Sequence, residues 1–291
     1  MLRRVVMVGA LLAWLAPVAS AETVDEVIAK YVQARGGMEK IKAVQTIKMT
    51  GKTVMGGGAM EAPFVSMKRR PQDNRIEFTI QGLTGVQAFD GKSGVAWTVM
   101  PFMGKKEPEA SPPDETKLMS EEADFDGPLV DWKEKGHQLE LVGKEQVEGA
   151  DAWKLKLTRK GGNVDYFYID VETGLEVKTE AKRTVRGTEF EGESLLSDYK
   201  EVDGLTFPFA VVSGLKGAPA EQRPKMVLDK IELNVALADS LFKMPPTAAK
   251  PDSVKATAKP DSVKAAAKPA SVKAAAKPAK AKPAAEAGKK K

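Results

Sequence analysis

The sequence predicts a mainly β fold with a few helices, an α+β class in which neighbouring strands pair antiparallel. The central observation is the stretch Leu139–Val212, where short runs of alternating apolar and polar residues are separated by turn signals. In one run Trp153, Leu155 and Leu157 alternate with polar residues, as a strand with one solvent-facing side requires. Strands joined by such short turns pair antiparallel, because parallel pairing needs a long crossover. We therefore expect an antiparallel meander at the centre of the fold.

The 291 residues divide into three segments of different composition. Residues 1–21 combine a basic start, an apolar run and Ala19-Ser20-Ala21, the pattern of a cleaved secretory signal peptide. The alternative, a retained membrane anchor, would need a longer apolar run. Residues 249–291 repeat Ala-Lys-Pro with a period of nine and offer too little apolar surface to offset ordering entropy. We expect one folded domain at 22–248, a disordered tail and export to the periplasm.

The net charge of +5 is the sum of a basic tail and an acidic domain. The tail carries 12 lysines and three acidic residues, whereas residues 22–248 contain 31 basic and 37 acidic residues. Nucleic acid is the obvious electrostatic partner of such a tail, but the export signal argues against it. We therefore expect no nucleic acid, and either an anionic envelope surface as the partner of the tail or no partner at all. The absence of cysteine excludes disulfides and a lipid-linked amino-terminal cysteine.

Two helices precede the first strand. Thr23 and Glu26 have the spacing of a capping box and predict a helix from Thr23 to Ala34, which Gly36-Gly37 would end. A second short helix is expected over Met38–Ala43.

Five strands should follow before the chain leaves the β pattern. Alternation and turn signals place them at 44–55, 64–70, 74–80, 85–89 and 95–100. Gly56-Gly57-Gly58 separates the first two as a turn, and Pro71 ends the second because proline cannot donate to a strand ladder.

The segment 101–136 interrupts the strands. A loop rich in proline and glutamate is expected first, then a helix over Asp114–Ala123, then a further helix that begins near Asp126 with Pro128 in its first turn. The apolar side chains of this insertion must dock somewhere, and the concave face of the sheet is the large candidate. With a last strand at 225–235, the sequence predicts about eleven strands and four short helices, and Leu241 and Phe242 packed back onto the sheet.

The residue types that enzymes need are scarce. His137 is the single histidine and there is no cysteine, which excludes the common zinc sites and Cys/His nucleophile pairs. Gly56-Gly57-Gly58 lacks the Gly-Lys-Ser/Thr sequence of a phosphate loop, and Asp124–Gly127 lacks the distal ligands of a calcium loop. We expect an exposed histidine in a turn, a helix-capping turn at Asp124–Gly127, no metal, no cofactor and no enzymatic activity.

The aromatic and large aliphatic residues of the strands and the insertion are the better candidates for binding. Ordinary core packing is the alternative for each of them, but a helical lid over an incompletely closed sheet would make them the lining of an apolar cavity. The candidate ligand-binding residues are Phe78, Ile80, Phe89, Trp97, Leu129, Trp132, Phe167 and Tyr168.

The segment Tyr31–Gly51, which contains Gly36-Gly37-Met38-Glu39-Lys40, resembles the opening of LolA-like outer-membrane lipoprotein-sorting proteins. Supporting runs are Gln87–Lys92, Ala123–Val130, Leu141–Lys144, Tyr168–Asp170 and Ser197–Gly204. The resemblance covers about residues 22–245 and omits the tail, so the chain is similar to a divergent member. It implies an unclosed antiparallel β-barrel, or half-barrel, with a helical lid over a cavity that receives acyl chains.

Two functions remain open from the sequence. The first is a monomeric periplasmic binding or carrier protein for lipoprotein or another acylated hydrophobic ligand, held between half-barrel and lid. The second is a non-enzymatic envelope sensor or structural module that uses the same fold to contact a partner, with its tail on anionic wall or membrane.

Overall fold

The computed structural model describes residues 22–185 and 187–246. The predicted signal peptide and basic tail lie outside the described residues and stay predictions. The α-helices of the described part are α1 (Val24–Ala34), α2 (Met38–Ala43) and α3 (Pro113–Glu122). The strands are β1 (Thr46–Met55), β2 (Met60–Arg69), β3 (Asp73–Ile80), β4 (Leu83–Asp90), β5 (Val95–Met100), β6 (Lys105–Ala110), β7 (Gln138–Val147), β8 (Ala150–Thr158), β9 (Val164–Asp170), β10 (Glu176–Val185), β11 (Thr188–Val202), β12 (Leu205–Leu215) and β13 (Lys225–Leu233).

All these strands belong to one antiparallel sheet of 13 strands. Their order is β6-β5-β4-β3-β2-β1-β13-β12-β11-β10-β9-β8-β7, so every hairpin predicted from the turn signals pairs sequence neighbours. β13 returns to pair with β1 and joins the two halves of the sheet. The edge strands β6 and β7 do not pair with each other, and the sheet stays unclosed, as the sequence predicted.

The start of the domain follows its local signals. The Thr23 hydroxyl accepts a hydrogen bond from Glu26 N at 3.3 Å, and the Glu26 carboxylate accepts one from Thr23 N at 2.7 Å, which completes the capping box. Gly36 has φ +114° directly after α1 and approaches the backbone of Gly204 so closely that a Cβ would not fit. The predicted helix stop is therefore also a contact between the helix end and the β11–β12 turn.

Side chains alternate between two faces of the sheet. The inner face packs against α1, α2, α3 and the segment 123–137, and the outer face is the opposite one. The main core on the inner face consists of Val27, Tyr31, Val32, Ile41, Val44, Ile47, Phe125, Leu129, Val130, Leu139, Trp153, Leu155, Leu157, Phe167, Ile169, Leu205, Phe209 and Ile231. The alternation of Trp153, Leu155 and Leu157 predicted this burial.

The strand count exceeds the prediction of about eleven. β6 lies where the sequence predicted a proline- and glutamate-rich loop, and it pairs with the edge of β5 through Trp97 and Ala110. Its exposed charged side chains carry no alternation, because an edge strand packs on little. A pattern-based prediction could not detect it.

The predicted helix near Asp126 is wrong. Residues 124–137 form consecutive turns, because Gly127 (φ +82°) and Asp131 (φ +52°) adopt the left-handed region and interrupt a right-handed helix. Asp124–Gly127 therefore follows the end of α3 and caps no new helix. The described part has three α-helices where the sequence predicted four.

The helix of the insertion, α3, and Phe242 near the end of the domain both pack on the sheet, as predicted. Met119 of α3 packs on Phe89 and Ala96, so this helix covers the inner face of β4 and β5. Phe242 is fully buried on the outer face, where its carbonyl accepts a hydrogen bond from Trp97 Nε1 at 2.8 Å. Within the described residues, no helix has the length and hydropathy needed to cross a membrane.

Candidate functional site

The inner face of the central meander is filled by its own cover. α1 contributes Val27 and Tyr31, and the segment 124–137 contributes Leu129 and Val130, all packed in one cluster with Leu155 of β8. These side chains occupy the space over β7, β8 and β9. Space for a ligand therefore has to be sought over the other strands.

An apolar cavity of about 170 Å³, the inner pocket, lies over β1, β2, β12 and β13. It exists because β12 and β13 pair over only three positions, Ala210–Val212 with Lys225–Val227, and separate beyond them. The lining consists of Met49, Phe64, Ser66, Phe207, Pro208, Val211, Met226, Leu228 and Ile231. One hydroxyl among eight apolar side chains makes this a site for an alkyl group.

A second cavity of about 220 Å³, the polar crevice, adjoins the inner pocket and shares Phe207 and Pro208 with it. Its other lining residues are Tyr31, Arg35, Lys68, Asp124, Phe125, Asp126, Gly127, Leu175, Glu176, Leu196, Tyr199 and Thr206. Together the two volumes fall within the range of about 300–1,000 Å³ that small-molecule sites occupy. The combined space has an apolar end and an ionisable end.

Arg35 sits at the centre of the crevice. Its Nη1 donates to the Tyr31 hydroxyl and to the Asp126 carbonyl, both at 3.1 Å, which ties the end of α1 to the segment 124–137. Burial raises the pKa of the Tyr31 phenol. The charge interaction with Tyr31 raises the pKa of Arg35 and outweighs burial, which lowers it. Tyr199 Oη donates to the carbonyl of Glu176 and fixes the floor of the crevice.

Glu176 and Lys68 are the two ionisable groups of the crevice with the least compensation. Burial raises the pKa of the Glu176 carboxyl to about 7, against the opposing charge of Arg35. Burial also lowers the pKa of Lys68, whose Nζ donates to the Glu122 carbonyl at 2.8 Å. Groups with displaced pKa values in a cleft mark candidate functional sites.

The acidic residues at the rim are neutralised by their own partners. Asp126 accepts hydrogen bonds from Arg70 at 2.7 and 2.5 Å and from Lys42 at 2.8 Å. Burial tends to raise the pKa of Asp126, but these bonds outweigh it and lower the pKa. Asp124 pairs through both carboxylate oxygens with Lys135 at 2.7 Å. The charges left to act on a ligand are those of Arg35, Lys68 and Glu176.

A third, open cavity of about 620 Å³, the charged cleft, lies between α3, the β2–β3 turn and the β8–β9 turn. It is lined by Arg70, Pro71, Gln72, Lys117, Ser120, Glu121, Asp124, Phe125, Asp126, Lys135, His137, Arg159, Lys160 and Gly161. His137 is partly buried where the sequence predicted an exposed histidine in a turn, and its Nδ1 accepts a hydrogen bond from Lys160 N at 3.1 Å. Burial and the charges of Arg159 and Lys135 lower its pKa. The described residues contain no group of three or more His, Asp or Glu side chains suited to a metal.

Of the eight sequence-derived candidates, Phe78, Ile80 and Phe89 are strand residues of the inner face, and Leu129 belongs to the insertion. Phe78 pairs in register with Phe64 of the inner pocket, so Phe78 and Ile80 of β3 share its face. The Phe78 ring contacts Phe102 at 5.5 Å between centroids. Phe89 lies under α3, and Leu129 is buried in the main core.

The other candidates divide between the core and the outer face. Trp132 packs against the main core and Phe167 belongs to it. Trp97 lies on the outer face beneath Phe242, and Tyr168 lies there in a separate cluster with Val147 and Ala152. None of the eight lines the inner pocket, the polar crevice or the charged cleft.

The residues that do line the inner pocket and the crevice were not selected from the sequence. Phe64 and Phe207 belong to predicted strands, but their common face depends on how β13 returns to β1. The strongest local signal was Arg35, a basic residue at the end of an apolar helix face beside Gly36-Gly37. Nothing local indicates that Glu176 faces inward, since a register shift between Glu176 and Lys178 decides it.

Solved structures with the same architecture are found despite low sequence identity. A LolA superfamily protein from Nitrosomonas europaea matches with a TM-score of 0.52 and 12% identity over 77% of this chain and 98% of its own. A DUF1329 family protein from Desulfovibrio piger matches with a TM-score of 0.52 and 14% identity over the same 77% and 98%. No protein-family model and no curated protein matches the sequence. The chain therefore has the LolA-like fold that the resemblance in its sequence predicted.

Proposed function

We propose that this protein is a non-enzymatic periplasmic binding or carrier protein for lipoprotein or another acylated hydrophobic ligand. The observation that carries the proposal is the inner pocket, which is apolar except for Ser66 and opens into the polar crevice. The LolA-like fold and the predicted signal peptide support it. The alkyl part of the ligand would lie against Phe64, Phe207 and Val211.

The size of the inner pocket bounds what it contributes to affinity. A water-sized group takes about 30 Å³, so the pocket holds about six methylene-sized groups. At about 0.8 kcal/mol per buried methylene, these contribute about 5 kcal/mol before the cost of association. That corresponds to binding no tighter than about 0.1–1 mM. A longer chain or an additional polar contact is therefore needed for micromolar affinity.

The inner face of β3 and β4 offers room for a longer chain. Phe78 and Ile80 continue the face of Phe64, and Phe89 lies further along it under α3. We retain these three of the sequence-derived candidates as proposed contacts of a chain that extends from the inner pocket beneath α3. The extension requires Met119 of α3 to move aside, since it packs on Phe89.

Native mass spectrometry tests the proposal. Protein released from the periplasm without detergent should carry a bound species of lipid mass, and the emptied protein should bind a fluorescent fatty acid saturably. A protein that carries no added mass and gives no saturable titration contradicts the proposed function.

The charged cleft favours a second candidate, an envelope sensor or interaction module. Lys117 and Lys160 are among its lining residues, and their positive charges would attract an anionic partner. Under this alternative, deletion of residues 249–291 should remove salt-sensitive association with the envelope, while fatty-acid binding stays absent. Unchanged fractionation of the truncated protein would exclude a role for the tail.

A further inference from the structure

The polar crevice lies where the head of a ligand would emerge from the inner pocket. We propose that the crevice binds the anionic head of a single-chain amphiphile through Arg35 and Lys68, while the alkyl chain enters the inner pocket and, where it is longer, continues along the inner face of β3. This inference rests on the proposed function, because it requires that the pocket accept a chain. It narrows the acylated ligand to one class.

The two cations have donors to spare. Arg35 uses Nη1 for the Tyr31 hydroxyl and the Asp126 carbonyl, and no acceptor among residues 22–185 and 187–246 meets its Nε or Nη2. Lys68 Nζ makes one hydrogen bond, to the carbonyl of Glu122. An oxyanion placed between the two side chains would accept from both, and charge-assisted bonds of this kind are stronger than neutral ones.

The other carboxylates of the lining have cationic partners of their own. Asp124 is held by Lys135, and Asp126 by Arg70 and Lys42. With those pairs complete, the remaining carboxyls are that of Glu176 near Arg35 and that of Glu122 near Lys68. Burial raises the pKa of both carboxyls and so favours their neutral forms, and where they are protonated the crevice has an excess positive charge. This balance favours an anionic head over a neutral or cationic one.

The apolar end limits the ligand to one chain. Room for about six methylene-sized groups accommodates a single alkyl segment and not two side by side. Phe207 and Pro208, which line both cavities, mark the junction of chain and head.

Glu176 makes the head site sensitive to pH. No described residue donates a hydrogen bond to its carboxylate, and the residue is half-buried in the crevice beside Arg35. The titratable and charged groups around it are Tyr31 of α1, Arg35 directly after α1, Lys68 of β2, Asp165 of β9, Tyr199 of β11, and Asp124 and Asp126 of the segment 124–137. When Glu176 ionises, it repels a bound anion and competes for Arg35. Anion binding should therefore weaken as the pH rises through about 7.

A series of probes with one chain and different heads tests the inference. Dodecanesulfonate, dodecanol and dodecyltrimethylammonium are titrated at micromolar concentrations against a displaceable fluorescent fatty acid at pH 6 and pH 8. The sulfonate, whose charge is fixed at both values, should bind at least tenfold more tightly than the other two at pH 6. Dodecanoate and dodecyl phosphate, tested in parallel, distinguish a carboxylate head from a phosphate head.

Single substitutions assign the effect to the crevice. Lys68→Gln should weaken sulfonate binding about five- to tenfold and leave dodecanol unchanged, and Arg35→Gln should act in the same direction. Lys48→Gln, on the opposite face of the neighbouring strand β1, is the matched control and should change nothing. Glu176→Gln should abolish the loss of sulfonate affinity between pH 6 and pH 8.

The outcomes separate this inference from the proposed function. Equal binding of all three heads would overturn the head site and leave the carrier function standing. If none of the probes binds, both the head site and the carrier function are overturned. Arg35 also ties α1 to the segment 124–137, so Arg35→Gln is compared with the wild type only if its thermal unfolding shows a native transition. If Arg35→Gln does not fold, the binding measured for Lys68→Gln tests the head site.

Discussion

Glu176 is a residue at which the fold gives up stability. A carboxyl group is placed in a crevice without a hydrogen-bond donor from the described residues, although Arg35 lies nearby. Removing a carboxylate from water without direct pairing is costly, which is why burial raises its pKa. Proteins keep such groups where they serve a site, and the position of Glu176 beside the inner pocket agrees with that.

The raised pKa of Glu176 predicts how stability changes with pH. Because the folded pKa of about 7 exceeds the reference value of 4.5, the folded state binds more protons between these values, and stability falls as the pH rises through this window. Across this window, the ionisation of Glu176 lowers the free energy of unfolding by about 3 kcal/mol. Urea unfolding at pH 5 and pH 8 should show that Glu176→Gln is stabilised relative to the wild type at pH 8 and less so at pH 5. An equal difference at both pH values would contradict the assignment.

Asp165 represents the opposite case, a buried carboxylate with full pairing. It is 2% exposed and accepts from Arg159 Nε and from Arg183 Nη2, each at 2.5 Å. Asp165→Asn should destabilise the protein by about 3 kcal/mol, because it leaves two partly buried guanidinium groups with only the more distant Glu121 carboxylate, at 3.7 and 4.0 Å. The control Asp25→Asn removes an exposed pair with Lys133 and should cost less than about 1 kcal/mol. Chemical denaturation of both variants measures the difference, and similar losses would refute the role of Asp165.

Among the α-helices of the described residues, α3 is the one without a buried side chain. Met119 packs on the sheet on one side of the helix. On the other side, the Glu121 carboxylate accepts hydrogen bonds from Asn163 Nδ2 at 2.8 and 2.9 Å. α1 in contrast buries Val27, Tyr31 and Val32.

Hydrogen exchange should therefore distinguish the two helices. We expect the amides of α3 to exchange at least about tenfold faster than those of α1, because local opening of α3 exposes little apolar surface. Exchange measured by mass spectrometry on the intact protein checks this. Equal protection of both helices would mean that α3 is an integral part of the core, and a chain could not extend beneath it.

The elements also show which parts of the structure are accessible from sequence. α1, its capping box and the central meander were predicted because their signals are local: spacing, alternation and turn residues. β6 and the turns at 124–137 were missed because an exposed edge strand lacks alternation and a left-handed residue such as Asp131 has no reliable signal. The inner pocket was missed because it depends on where β13 separates from β12, a relation between strands distant in the chain.

At the scale of the whole molecule, the sheet performs two tasks in its two halves. β7, β8 and β9 hold the chain's own cover, with Leu155 and Leu157 fully buried beneath α1 and the segment 124–137. The strands β1, β2, β12 and β13 leave a cavity open. A ligand that binds only the folded state raises its stability by about 2.7 kcal/mol at 100 times Kd. A saturating fatty acid should accordingly raise the melting temperature by a few degrees, whereas a soluble short acid such as acetate should not.

The central claim is that the inner pocket accepts an alkyl chain, and filling it is the most direct test. Val211→Trp places an indole in the pocket, while Val142→Trp adds the same side chain at a 54% exposed position on β7. Both purified variants are titrated with a fluorescent fatty acid and compared with the wild type. The account predicts at least a tenfold loss of affinity for Val211→Trp and wild-type affinity for Val142→Trp. Wild-type affinity in a folded Val211→Trp variant would contradict it.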